Sequence, residues 1–115
     1  MAKGKNTFVD FELEGGETVK MTLAFYLLLG LKQHRKDIYD RYNQIMVKGP
    51  KEELESITIL YAAYLCAYIQ GKGTADGAMP ERDFMVECGS DREAVMSAVA
   101  ALTRPKRKAA SESRS

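Results

Sequence analysis

Apolar and polar residues alternate near the start of the chain, first over residues 9–13 and again over residues 19–23. A period of two residues is typical of a half-buried β-strand. Gly15 and Gly16 stand between the two runs and supply the backbone freedom that a tight turn requires. The pattern predicts a β-hairpin over residues 6–22. Because an isolated hairpin is marginally stable in water, it should rest on the remaining chain or accept a partner strand.

The pattern then changes to the spacing of helices, in which apolar residues recur every three or four positions. Four to five helices are expected, so the predicted fold class is mainly α with an N-terminal β-hairpin (α+β). The helices are predicted over residues 23–35, from about residue 37 to the Gly49-Pro50 break, from Pro50 to about residue 70, over residues 80–87, and from Ser90 to about Thr103.

Several residues are suited to begin or interrupt these helices. Thr22 is a candidate cap for the first helix, and Pro50 suits the first position of the third. Ser90 and Glu93 have the spacing of a capping box before the last helix. Gly30 weakens the first helix and therefore indicates a close contact with another helix.

Length and charge divide the chain of 115 residues into three parts. Residues 104–115 carry a net charge of +4, residues 1–5 carry +2, and residues 6–103 carry −5. We expect a flexible N-terminus over residues 1–5, a single helical domain over residues 6–103, and a disordered basic tail over residues 104–115. The acidic domain should repel a phosphate backbone, so nucleic-acid binding by the domain is not expected.

The cysteines and the apolar runs indicate a soluble, cytoplasmic protein. Cys66 and Cys88 lack the spacing of a zinc site or a redox motif and are expected as buried thiols in a reducing compartment. The N-terminal residues show no apolar signal segment. The longest uncharged apolar run, residues 57–69, is shorter than the roughly 20 residues that cross a membrane.

No constellation of residues indicates catalysis, a cofactor or a metal. His34 is the single histidine and stands among polar residues, so neither a catalytic triad nor a two-histidine metal site is available. The glycines of residues 71–74 lack the spacing of a phosphate-binding loop. The acidic residues between 76 and 87 do not match a calcium-binding loop. We therefore expect a protein that is not an enzyme.

The uncharged helix within residues 57–69 carries the main functional prediction. It is apolar on every side, and a chain this small is expected to cover it only in part. Aromatic stripes usually belong to a core, but tyrosine is also enriched where proteins meet. The predicted protein-interaction residues are Tyr61, Tyr64, Leu65 and Tyr68 on this helix, and Val9 and Phe11 on the hairpin edge.

Four segments carry a resemblance to a known family: Thr22-Leu23-Ala24-Phe25, Tyr39-Asp40-Arg41-Tyr42-Asn43, Lys48-Gly49-Pro50-Lys51, and Ile59-Leu60-Tyr61-Ala62-Ala63-Tyr64-Leu65-Cys66-Ala67. Their order resembles the tail assembly chaperones of long-tailed bacteriophages and of prophages of Gram-positive bacteria. The resemblance spans about residues 6–103.

The resemblance implies a role in tail morphogenesis. Such chaperones keep the long, helical, aggregation-prone tape measure protein soluble and help to recruit tail tube subunits around it. It implies tape measure and tail tube partners, an action in the host cytoplasm, and absence from the mature virion. The residues themselves lead us to expect a homo-oligomer, no cofactor and no contact with a membrane. A programmed frameshift near the end of the reading frame yields a longer product in many members.

Two other functions remain open from the residues. One is a helical module that associates with its own copies as a homo-oligomer, through the same apolar helix. The other is a small nucleic-acid-binding protein that acts through the basic tail, which steep salt dependence would reveal.

Overall fold

The computed structural model describes residues 8–103 and confirms the predicted fold class of a mainly α protein with an N-terminal hairpin. The elements are β1 (Val9–Glu12), β2 (Thr18–Met21), α1 (Phe25–His34), α2 (Lys36–Lys48), α3 (Glu53–Lys72), α4 (Glu81–Cys88) and α5 (Arg92–Thr103). The predicted flexible N-terminus and the predicted basic tail lie outside the described residues. Among residues 8–103, no helix has the length and apolarity needed to cross a bilayer.

The hairpin forms where the alternating pattern predicts it. β1 and β2 are antiparallel, with Val9 opposite Met21. At the turn, the Gly16 amide donates to the Leu13 carbonyl at 2.9 Å, and the Leu13 amide donates to the Glu17 carbonyl at 2.7 Å. Gly16 has a φ of 96°, which a residue with a Cβ rarely adopts, so the turn depends on this glycine.

Helix α3 lies at the centre of the fold. The strand β2 and the helices α1, α2, α4 and α5 all contact it, and residues 58–66 are all buried. The Thr22 amide donates to the Ala63 carbonyl at 3.1 Å, which ties the end of the hairpin to α3. A Cβ at Gly30 would lie 3.5 Å from the Ile69 side chain, an ordinary van der Waals distance, so α1 contacts α3 here but not so closely that the contact requires glycine. The expectation that the chain covers this helix only in part is wrong. β2, α1 and α2, which precede α3 in the sequence, and α4 and α5, which follow it, surround it together.

The prediction that Thr22 caps the first helix is wrong, because Ala24 stands at the N-cap of α1 and the Thr22 hydroxyl accepts from the Ala24 amide at 3.2 Å. Two further predicted helix starts differ from the structure. Pro50 precedes α3 rather than beginning it: Glu52 is extended, and the Glu55 carboxylate accepts a hydrogen bond from the Lys51 amide at 2.7 Å. At α5 the Asp91 carboxylate, not the Ser90 hydroxyl, accepts from the Ala94 amide at 3.0 Å. In both places an acidic side chain satisfies a free amide near the positive end of the helix dipole.

Candidate protein-interaction surface

The tyrosines predicted as interaction anchors lie mostly inside the domain. Tyr61 and Leu65 are fully buried, Tyr64 is 8% exposed, and Tyr68 is half-buried. The centroid of the Phe84 ring lies 5.5 Å from that of Tyr61 and 5.4 Å from that of Tyr64. The prediction that this face stays open to a partner is therefore wrong for Tyr61, Tyr64 and Leu65, because α4 supplies the aromatic side chain that covers them.

The tyrosine hydroxyls hold the loop between α3 and α4. The Tyr61 hydroxyl donates to the Met79 carbonyl at 2.8 Å, and the Met79 amide donates to the Tyr64 hydroxyl at 2.9 Å. One turn further along α3, the Tyr68 hydroxyl donates to the Asp76 carbonyl at 2.9 Å. Burial raises the pKa of both Tyr61 and Tyr64. The three tyrosines thus stabilise the loop, because their rings pack against the core and their hydroxyls form hydrogen bonds with the loop backbone.

The two predicted hairpin residues also face inward. Phe11 is buried in the core, and Val9 is half-buried against the same core. Their side chains pack mainly on the core, so these side chains alone do not make an exposed apolar patch, and the use of the hairpin edge by a partner stays a prediction. Burial of these side chains does not decide whether the backbone edge of β1 can bind a partner, since strand pairing uses backbone amides and carbonyls.

A set of exposed apolar side chains lies instead on α1 and the end of α2. Phe25 is 89% exposed, Tyr26 is 64% exposed and Leu29 is 57% exposed on α1, and Val47 is 78% exposed on α2. A groove of about 380 Å³ runs between the two helices, and we call it the α1–α2 groove. Its lining residues are Phe25, Leu28, Leu29, Lys32, Tyr39, Tyr42, Asn43 and Met46.

The sequence contains a signal for this surface. Residues 25–29 are five consecutive apolar positions, and at about 100° per residue they cover the whole circumference of a helix. Only one side of α1 packs into the core, and Leu28 and Leu31 are buried there. Phe25 and Leu29 lie outside this buried side of α1, because α3 contacts α1 from one direction.

The spacing of the groove residues suits a helical partner. On α1, Phe25, Leu29 and Lys32 follow an i, i+4, i+7 row. On α2, Tyr39 and Met46 are related as i and i+7 and lie on one face. Rows of this kind form the ridges between which another helix can lie. The ammonium of Lys32 lies 5.7 Å from the centroid of the Tyr39 ring, which keeps a charge at the rim of an otherwise apolar site.

The two cysteines are buried, as predicted, and both are free thiols. Burial raises the pKa of Cys66 from 9.0 to about 12, and burial together with the Glu87 charge raises that of Cys88 to about 11. His34 is exposed at the end of α1. Within residues 8–103, no group of three or more histidine, cysteine or acidic residues is arranged to hold a metal ion.

We expect the thiols to make the fold sensitive to alkali. Each folded pKa lies above the unfolded value of 9.0, so the stabilisation is complete below about pH 9 and is lost as the pH rises toward the folded values. The free energy of unfolding should fall by roughly 1 kcal/mol per thiol by about pH 10. Urea titrations across this range measure the effect, and Cys66→Ala should make the pH dependence shallower by the share of one thiol, while Cys88 keeps the other share. An equally steep dependence in that variant would contradict the assignment.

Comparison of the chain with protein-family models, with curated proteins and with solved structures found no match in any of the three. The α1–α2 groove, identified from exposure and geometry, is therefore the candidate site on which a function is proposed.

Proposed function

We propose that this protein is a non-enzymatic tail assembly chaperone that binds the phage tape measure protein and keeps it soluble during tail morphogenesis. The observation that carries the proposal is the α1–α2 groove, where Phe25 and Leu29 leave apolar surface in water. Large exposed apolar patches are typical of surfaces that bind another protein. Several helices of a tape measure protein would present complementary apolar faces.

The resemblance supports the same surface. Phe25 is the last residue of the first segment that resembles the family, residues 22–25. Tyr39, Tyr42 and Asn43 belong to the second segment, residues 39–43. All four residues line the α1–α2 groove. The fourth resembling segment, residues 59–67, lies in the core and supports the fold beneath the groove rather than the contact itself.

The energy of such a contact is adequate for a reversible chaperone. Burying apolar surface contributes about 25 cal/mol per Å², and covering one aromatic or leucine side chain contributes roughly 1.5–3 kcal/mol. A few such side chains offset the cost of association without forming a permanent complex. A chaperone that must release the tape measure protein to tail tube subunits needs this intermediate affinity. The recruitment of those subunits is part of the proposal and rests on the resemblance.

Co-expression tests the proposed function. The tape measure protein of the same phage or prophage is produced with this chain or with an empty vector, and the soluble fraction is compared. The proposal expects the tape measure protein to be soluble with the chain and to co-purify with it. Insoluble tape measure protein in both cases would overturn the proposal.

The same preparation separates the two other functions. Sedimentation of the chain alone as a stable oligomer, without capture of the tape measure protein, would favour a self-associating module. Salt-sensitive retention on DNA that depends on residues 104–115 would favour nucleic-acid binding through the tail.

A further inference from the structure

A second groove, of about 490 Å³, lies between β1 and α5, and we call it the β1–α5 groove. Its lining residues are Val9, Asp10, Phe11, Glu12, Leu13, Glu14, Cys88, Asp91, Ala94, Ser97, Ala98 and Ala101. The α5 side of the groove is formed mostly by small side chains, which leave room for a chain to lie beside β1.

The outer edge of β1 offers backbone groups to this groove. The bond from the Leu13 amide to the Glu17 carbonyl makes these two residues a hydrogen-bonded pair. Bonded and non-bonded pairs alternate along an antiparallel ladder, so the amides and carbonyls of Asp10 and Glu12 face away from β2. The next outward amide, that of Glu14, donates to the carbonyl of Glu87 on α4 at 2.8 Å.

The Asp10 and Glu12 edge has no such cover within residues 8–103, since no backbone group of a helix or loop there bonds to it. An uncovered strand edge is a template for pairing with another extended segment. Many proteins cover such an edge with a part of their own chain. The edge of β1 in the β1–α5 groove therefore has backbone groups free for an added strand, and the charges of the groove indicate what kind of segment would fit.

The charges of the groove favour a basic occupant. Four carboxylates line it, those of Asp10, Glu12, Glu14 and Asp91, and no basic residue does. Lys20 on β2 binds the Asp10 carboxylate at 2.9 Å, in an exposed pair that contributes little and that another cation can replace. An extended segment with several lysines or arginines would pair its side chains with these carboxylates while its backbone adds to β1.

The C-terminal segment of the chain has this chemistry, and in sequence it follows the helix that lines the groove. Residues 104–115 follow directly after Thr103, the last residue of α5, and contain five basic residues and one acidic residue. Pro105 favours a change of direction immediately after the helix. The groove extends along α5 from Ala94 to Ala101, which is about 10 Å at 1.5 Å per residue. Twelve extended residues reach roughly 40 Å, so the segment is long enough to turn back and span the groove.

We propose that the basic segment of residues 104–115 docks in the β1–α5 groove of its own chain and pairs with the β1 edge at Asp10 and Glu12. The docked segment covers the edge and prevents pairing between the strands of two copies. This inference goes beyond the proposed function and does not depend on it, because it uses neither the α1–α2 groove nor a tape measure protein.

Hydrogen exchange in the full chain tests the proposal. The triple variant Lys106→Glu, Arg107→Glu, Lys108→Glu reverses the charge of the segment, and amide exchange is followed by NMR. The Asp10 and Glu12 amides are expected to exchange roughly tenfold faster in the variant, while core amides of α3 are unchanged. Lys3→Glu, Lys5→Glu is the matched control, and it should leave both amides protected. Equal exchange of these amides in the wild type and the triple variant would overturn the proposal.

A spin label locates the segment directly. Ser113→Cys adds a thiol to the segment for labelling, whereas the two native thiols are buried and unreactive at neutral pH. The label should broaden the amide signals of Ser97 and Ala101, and about 1 M salt should remove the effect because it shortens the Debye length to roughly 3 Å. A second sample mixes two kinds of chain: one carries the NMR isotope but no spin label, and the other carries the spin label but no isotope. No broadening is expected in this mixture. Broadening in the mixture would show that a second copy fills the groove and would overturn docking within one chain.

Discussion

Tyr61→Ala is expected to lower the free energy of unfolding by about 3–5 kcal/mol, which is enough to unfold a marginally stable domain. Tyr61 is fully buried, its ring contacts the rings of Tyr64 and Phe84, and its hydroxyl binds the Met79 carbonyl. The substitution leaves a cavity in the centre of the core and removes a tie to the loop after α3. Urea unfolding followed by circular dichroism measures the change.

Tyr26→Ala is the matched control, because Tyr26 is 64% exposed on α1. Its effect on the free energy of unfolding should stay within about 0.5 kcal/mol. A Tyr61→Phe variant isolates the hydroxyl and should cost about 1 kcal/mol. Near-equal stability of Tyr61→Ala and Tyr26→Ala would show that Tyr61 is not the core residue that the structure describes.

The burial of Tyr64 on α3 also limits how the tyrosines can be tested for binding. Replacing Tyr64 and Tyr68 by Asp would place a carboxylate beside Phe84 and remove two hydrogen bonds to the loop. A buried charge without a partner is strongly destabilising. The variant should therefore lose helicity together with any binding, so a loss of co-purification would report on folding rather than on contact.

The elements of the fold could be predicted because local patterns determine them. The alternation over residues 9–13 and the glycine pair indicate the hairpin. Helix starts are less predictable, since several nearby residues can satisfy the same amides. Pro50 and Ser90 are suitable by type, but Glu55 and Asp91 accept the hydrogen bonds.

The candidate site could not be predicted in the same way. A helix that is apolar on all sides must be covered, but its sequence does not say whether its own chain or a partner covers it. Here β2 and four helices cover α3, and the apolar excess appears on α1 instead. Which of five consecutive apolar residues reach the core depends on the direction from which α3 contacts α1, and this is a property of the tertiary structure.

Substitution of the exposed apolar side chains of α1 should disrupt the proposed binding. The double variant Phe25→Asp, Leu29→Asp is expected to abolish co-purification with the tape measure protein, with at least a tenfold loss of affinity, roughly 1.4 kcal/mol. Two carboxylates in the α1–α2 groove would be desolvated against an apolar partner helix without compensating charges. Because both side chains are more than half exposed in the free protein, stability should change by only about 0.5 kcal/mol per substitution.

Val86→Asp is the matched control for this variant. Val86 is 67% exposed on α4 and does not line the α1–α2 groove, so its replacement adds a comparable charge at an apolar surface position elsewhere. Co-purification is measured beside thermal unfolding of each variant alone, which separates lost contact from lost fold. If the double variant folds and still holds the tape measure protein in solution as well as the wild type does, the α1–α2 groove is not the binding surface. If Val86→Asp abolishes binding equally, the contact depends on general surface charge, and the assignment to α1 fails.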